Sequence, residues 1–428
     1  MKNKIIKTAV FLCTAVLLSS CSANKESEVT FRTVVTEGIN AYIAADLGTS
    51  ATTGESLPEE TEAATEEIVT SKSTKHYETT IPETLIGGTE TSFSETLPEI
   101  TTKPPETEAI ITTSPLETLP KPEVTSISGG AYNVIDDSGL LISEINGHYW
   151  ALMPCWGTYG LCESWAESVN TFKEKLPDVN VYNMVVPTSS EFYVPEGFDD
   201  FTASQWKKID HIRACLKNVK NVDAYSALAA HTDEAIFSRT DHHWFPLGGY
   251  YAAQAFAVEA GVSFPYLDAY KKVTRGGFVG SMYMYTESSL IYNDPEQFDL
   301  YIPPDNDSLK TTYYNGYFKN GYSGSLITSP DASGYYCSFL GADNIIAEIE
   351  TGTKNGRTLV IFKESYGNAV VPFLTSSFEK IYVCDIRYFY LNAVQFCKDV
   401  GATDLLFSVC TFTPAGTNGN YLGKILNY

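Results

Sequence analysis

Thr358-Leu359-Val360-Ile361-Phe362-Lys363-Glu364-Ser365-Tyr366-Gly367-Asn368 is the stretch that decides how this chain folds. The run 358–362 is apolar or β-branched without alternation, the pattern of a strand buried on both faces. It stops before Ser365, and Tyr366-Gly367 allows a sharp turn. A serine at the C-terminal end of a buried strand, just before a helix, is a common way for an α/β sheet to present a nucleophile. Working outward, the same rhythm recurs. Strands are expected at 149–153, 179–187, 380–386 and 405–410. Helices are expected at 165–176, 205–218, after Ser365 and at 388–400. A further helix runs 246–261, opened by Pro246, which suits a first turn. Such alternation predicts an α/β fold with a mainly parallel sheet flanked by helices in three layers. Residues 262–357, rich in Tyr, Gly and Asp, read as a large insertion shaping a cleft.

A second stretch supplies the partners of that serine: Ser238-Arg239-Thr240-Asp241-His242-His243-Trp244. Residues 234–238 lead extended into it. In an extended segment Asp241 and His243, at i and i+2, point to one face, so one carboxylate can orient one imidazole. With Ser365 they make the parts of a Ser/His/Asp hydrolase or acyltransferase. Metal ligation by Asp241, His242 and His243 is the competing reading. Adjacent histidines diverge in an extended chain and no further ligands are identifiable, so neither a metal nor another cofactor is expected. His242 is expected to line the cleft or pack, and Trp244 to pack in the core, with support of the imidazole as its competing role. The backbone N–H groups of Ser365 and Gly367 are the expected oxyanion donors, with Asn368 close by in the same turn. Arg387, at the rim after another strand, is a candidate for an anionic substrate group, with a structural ion pair as its competing role.

The run Thr-Asp-His-His-Trp, followed by an aromatic, Pro and Gly-Gly, resembles the signature of the bacterial DHHW proteins. Their wider relatives are the alginate O-acetyltransferases, which have an SGNH-hydrolase-like fold. There too the D-x-H-W segment precedes the Ser segment. The resemblance covers roughly 136–428. By position it implies that Asp241 and His243 are the Asp-His pair and Ser365 the nucleophile of a K-D-S-Y-like segment. Glu364 stands where Asp is usual, and the Asn and Gly that complete the oxyanion hole of SGNH enzymes are not identified. The implied activity is transfer or removal of acyl groups, acetyl foremost, on a cell-surface or cell-wall glycan. For a transferase, a membrane acyltransferase partner would supply the acyl group. A surface glycan-binding or adhesion protein that keeps the fold without the chemistry is the alternative.

The first third of the chain is of another kind. Lys2, Lys4 and Lys7 precede an apolar run at 8–18 that is too short to span a bilayer. It ends in Leu18-Ser19-Ser20-Cys21, which resembles a lipobox. Residues 1–20 are therefore expected to be a lipoprotein signal peptide, with Cys21 lipidated and the protein held at the outer side of the cell membrane. Residues 22–125 hold 19 acidic and 6 basic side chains, a balance of −13 out of −23 for the chain. This Thr/Glu/Pro-rich segment has too little apolar surface to offset its conformational entropy, and reads as a disordered spacer. The acidic balance argues against nucleic acid as a partner. Residues 126–428 remain as the folded domain. Its seven cysteines are an odd number, with Cys155 and Cys162 the one pair flanking a loop that a disulfide could close.

Overall fold

The computed structural model describes residues 120–428 apart from 342, 344 and 345. The signal segment, Cys21 and the spacer up to residue 119 lie outside the described residues.

Three strands, β1 (Asn133–Ile135), β2 (Leu141–Ile145) and β3 (His148–Leu152), form a small antiparallel sheet. The expected strand at 149–153 is thus real but does not join the main sheet. That sheet has eight strands in the order β5 (Lys220–Asn221), β4 (Asn180–Val186), β13 (Asp404–Cys410), β11 (Thr358–Lys363), β12 (Lys380–Asp385), β10 (Ile346–Glu350), β8 (Lys310–Tyr314) and β9 (Tyr322–Gly324). The first five are parallel, whereas β10, β8 and β9 each pair antiparallel with their neighbour. The sheet is therefore mixed and largely parallel. Residues 262–357 are not wholly an insertion outside it, since they contribute three of its strands. They also carry a separate antiparallel ribbon, β6 (Lys271–Phe278) with β7 (Glu296–Ile302).

Helices cover both faces, and the alternation of side chains assigns each. Phe172 and Trp165 of α1 (Tyr159–Lys175) pack on Phe407 and Phe362 on one face. Alongside α1 lie α2 (Gln205–Cys215) and the C-terminal helix α5 (Asn420–Asn427). On the other face Phe256 of α3 (Pro246–Ala260) meets Tyr182. Helix α3 ends where Gly261 takes the left-handed conformation, closing its last turn. The expected helix 388–400 is shorter, α4 (Ala393–Asp399), because Asn392 caps it by accepting from the Gln395 N–H. No helix of the described residues is long and apolar enough to cross a membrane.

After Ser365 the chain forms a 3₁₀ helix, Ser365–Leu374, rather than an α-helix. Its first turn closes by an i→i+3 bond from the Gly367 N–H to the Glu364 carbonyl, and Pro372 lies inside it. Cys155 and Cys162 are free thiols rather than a disulfide. Burial pushes both thiols up, to about 12 and about 11.

Candidate active site

Strands β11, β12 and β13 end at one edge of the sheet, and the site gathers there. Ser365 follows β11 by two residues. Asp241 and His243 arrive from the loop between Ile236 and Phe245, a pinched hairpin held by the Phe237–Trp244 bridge and by the Phe245 N–H donating to the Ile236 carbonyl. The loop does not hold Asp241 and His243 in the extended conformation expected to follow residues 234–238. Asp241 and His243 converge by an Asx turn instead: Asp241 Oδ1 accepts from the His243 backbone N–H at 2.9 Å and lies 2.6 Å from His243 Nδ1. His243 Nε2 lies 2.8 Å from Ser365 Oγ. The three residues form one hydrogen-bonded chain, and all are buried: Ser365 is 1% exposed, His243 2% and Asp241 6%.

Burial would raise the Asp241 carboxyl. The facing His243 imidazole, with the Ser281 N–H on Oδ2 at 2.8 Å, outweighs this and holds it far below the usual carboxylate range. An ionised Asp241 places the Nδ1 proton on His243 and leaves Nε2 to accept from Ser365. Gly280 makes the approach of Ser281 possible, since a Cβ there would overlap the Asp241 carboxylate.

The loop is anchored by a residue the sequence reading missed. Glu296, the first residue of β7, is buried and accepts from the Ser238 hydroxyl, the Arg239 N–H, the Thr240 N–H and the Thr240 hydroxyl. Ser238 Oγ in turn accepts the Asp241 N–H at 2.8 Å. A lone Glu opening an ordinary strand carries no sequence signal of this role. Beside the same loop is a cavity of about 250 Å³ lined by Ile127, Trp150, Tyr193, Phe237, Arg239 and Glu296 among others, but by none of the three linked residues.

Around Ser365, one of the two expected donors, the Gly367 N–H, is otherwise engaged. The Gly367 N–H closes the 3₁₀ turn on the Glu364 carbonyl, and the Tyr366 N–H donates to Glu364 Oε2 at 3.1 Å. Gly367 is therefore not an oxyanion donor in this conformation. Its lack of a side chain serves packing, since a Cβ would strike Lys363. Glu364 is fully buried, takes the Cys410 N–H on Oε1 and lies 3.3 Å from Ser365 Oγ. Burial raises its carboxyl despite Arg387 and those N–H groups.

Arg387 does not face an open cleft. It forks onto Asp385 and reaches Asp343, and Lys363 bridges the same two carboxylates. Burial would raise Asp343, but Lys363 and Arg387 hold it far below the usual carboxylate range. Asn368 donates from Nδ2 to Asp343 at 2.7 Å. Trp244 packs in the core and donates to the Tyr366 carbonyl at 2.9 Å. Tyr336 lies over the site: its ring stacks on His243 at 3.8 Å and 8°, and its hydroxyl donates toward the Ser365 and Tyr366 carbonyls.

The two histidines do not diverge as expected. Their rings lie 3.7 Å apart, and donor atoms of Asp241, His242 and His243 all fall within 4.8 Å of one another. These three could hold a metal ion by donor type, although both ring nitrogens of His243 already face Asp241 and Ser365.

Comparison with known proteins agrees on the fold. The family profile described as DHHW protein matches residues 161–384. A crystal structure of a DHHW family protein from Eubacterium siraeum is 47% identical, covering 69% of this chain and 98% of that one, with a TM-score of 0.66. PatB1 of Bacillus cereus, solved with a sulfonyl adduct, is 17% identical over 68% of this chain and 99% of its own, with a TM-score of 0.54. That likeness bears on the fold alone. More distantly, the O-acetyltransferase domain of AlgJ from Pseudomonas putida is 13% identical over 66% of this chain and 96% of its own, at a TM-score of 0.36. No curated protein matches the chain.

Proposed function

We propose that this chain, which belongs to the DHHW protein family, is an extracytoplasmic SGNH-like enzyme that transfers or removes acyl groups, acetyl foremost, on a cell-surface or cell-wall glycan. One observation carries the reading: the continuous chain from Ser365 Oγ to His243 Nε2 at 2.8 Å and from His243 Nδ1 to Asp241 at 2.6 Å. Ser365 Oγ attacks the carbonyl carbon of an ester while His243 takes its proton. Asp241 holds the imidazole in the required tautomer and stabilises the imidazolium. As the tetrahedral intermediate collapses, His243 returns the proton to the leaving alcohol, and the acyl group stays on Ser365. Water as the next acceptor regenerates the serine and releases an acid, while a sugar hydroxyl gives a new ester. The enclosure of Ser365 favours a small acyl group over a long one.

A transferase needs an acyl donor from across the membrane, hence a membrane acyltransferase partner. Lipidation of Cys21 would place the domain at the outer side of the cell membrane. Labelled palmitate should mark the wild type, and Cys21→Ala should lose the label.

The chemistry is tested on 4-nitrophenyl acetate, which needs no natural acceptor. Slow turnover is expected, Ser365→Ala and His243→Ala should each remove nearly all of it, and a fluorophosphonate should label Ser365. A second reading, a non-catalytic glycan-binding protein, is favoured by the 1% exposure of Ser365 beneath Tyr336. Binding to isolated wall glycan without Ser365-dependent turnover or labelling would select it.

A further inference from the structure

With the Tyr366 and Gly367 N–H groups occupied by Glu364, the Ser365 N–H has neither of them as a second donor to a developing oxyanion. Six side-chain polar atoms among the described residues are buried without a partner, and two of them belong to this site: His242 Nε2 and Asn368 Oδ1. His242 is 4% exposed, its ring rests against His243, and the Tyr366 hydroxyl fixes its carbonyl. Its Nδ1 lies 2.6 Å from Ser281 Oγ, while Asp241 Oδ1, at 3.9 Å, is too far for a hydrogen bond.

The tautomer follows from counting protons. The His242 backbone N–H donates to Ser281 Oγ at 3.3 Å, so that oxygen accepts there. If the Ser281 hydroxyl then gives its one proton to Nδ1, every polar atom of the pair is satisfied except Nε2, which carries a hydrogen. If Nδ1 held the proton instead, both the Ser281 hydroxyl hydrogen and the Nε2 lone pair would be left without partners in a buried site. Each such orphan costs about 1–3 kcal/mol. Burial, with His243 alongside, also pushes His242 down to about 3, which keeps the ring neutral at working pH.

We propose that His242, as the Nε2–H tautomer, donates to the carbonyl oxygen of the acyl group attacked by Ser365. This rests on the Ser365 reading above. A fixed neutral imidazole aimed at a developing oxyanion needs no reorganisation during the reaction. Asn368 supports a ligand in the same place. It repeats the face of Ser365 one 3₁₀ turn on, and its Oδ1 is an acceptor with no protein partner.

Two readouts test the proposal. In a long-range proton–nitrogen spectrum of the ¹⁵N-labelled full-length protein, assigned with His242→Gln, Nε2 of His242 should be protonated and Nδ1 bare. Ethylboronic acid, which forms a tetrahedral anionic adduct on a reactive serine, should shift the Nε2 resonance. In kinetics on 4-nitrophenyl acetate, His242→Phe should lower kcat by about 10²–10³ with KM changed only a few-fold, and His242→Gln should restore part of the loss. An Nδ1–H tautomer overturns the proposal. So does a folded His242→Phe with kcat within threefold of wild type, or a stoichiometric metal on His242 Nε2 by elemental analysis. If His242→Phe does not fold, the tautomer and the boronic acid shift decide alone. Turnover that survives Ser365→Ala removes the Ser365 reading and this one together. Turnover that needs Ser365 but not His242 removes only this one.

Discussion

At the scale of single residues, Asp241 is the most constrained side chain of the site. Its two oxygens divide their work, Oδ1 on His243 and Oδ2 on the Ser281 N–H. Asp241→Asn keeps the volume but cannot favour the Nδ1–H tautomer, so kcat on 4-nitrophenyl acetate should fall by about 10²–10⁴. Gly280→Ala attacks the same carboxylate sterically. The added methyl would displace Asp241, and a displacement of this size costs about 10- to 100-fold in kcat. Circular dichroism should show both variants folded. A Gly280→Ala enzyme with wild-type kcat would mean that the Ser281 contact does not position Asp241.

At the scale of elements, the site depends on two contacts between segments far apart in sequence. The first is β7 against the Asp241 loop. Glu296→Ala would leave the Ser238, Arg239 and Thr240 donors unpaired in a buried place, costing about 3 kcal/mol in urea unfolding and abolishing turnover by releasing the loop. The second is α3 against the 3₁₀ helix of Ser365. Gly249 touches the Ala369 backbone, where a Cβ would come within 2.7 Å of the carbonyl oxygen. Gly249→Val should therefore push the two helices apart and cost roughly 1–3 kcal/mol, read as a lowered Tm. A Tm unchanged from wild type would place the close approach elsewhere.

At the scale of the whole molecule, the buried ionisable groups make the domain sensitive to acid. A neutral His242, ordinarily titrating near 6.5 but held at about 3 by burial, binds a proton in the unfolded chain well before it does so in the folded one. Stability from this group is whole above about pH 6.5 and declines as pH falls toward 3, by ~2 kcal/mol at pH 5. Asp241 and Asp343, both depressed, add to the loss below about pH 4, where the unfolded carboxylates take up protons first. Glu364, raised by burial, acts in the opposite sense just above pH 4.5. Urea unfolding at pH 5 and pH 7 should show the drop in the wild type, and His242→Gln should show less of it. Equal slopes in the two proteins would mean that His242 is not held neutral.

By itself the sequence determined the parallel centre of the sheet and the identity of the linked residues. β4, β11, β12 and β13 are covered on both faces, so they read as near-continuous apolar runs, interrupted inside only by Asn183 of β4 and Ser408 of β13. The serine and the Asp-x-His pair carry their chemistry in residue type and spacing. The antiparallel edge was not legible, because β8 and β10 mix Lys, Thr and Glu with apolar residues inside a Tyr/Gly-rich stretch. Only the tertiary structure decided how Asp241 meets His243, through an Asx turn rather than a strand. It alone brought in Glu296, Ser281 and Tyr336 from distant segments, tied the Gly367 N–H into the 3₁₀ turn, and settled Arg387 on the structural ion pair rather than the substrate contact. Such assignments depend on which buried donor finds which acceptor, and that pairing is settled by packing across the fold rather than by neighbours in the chain.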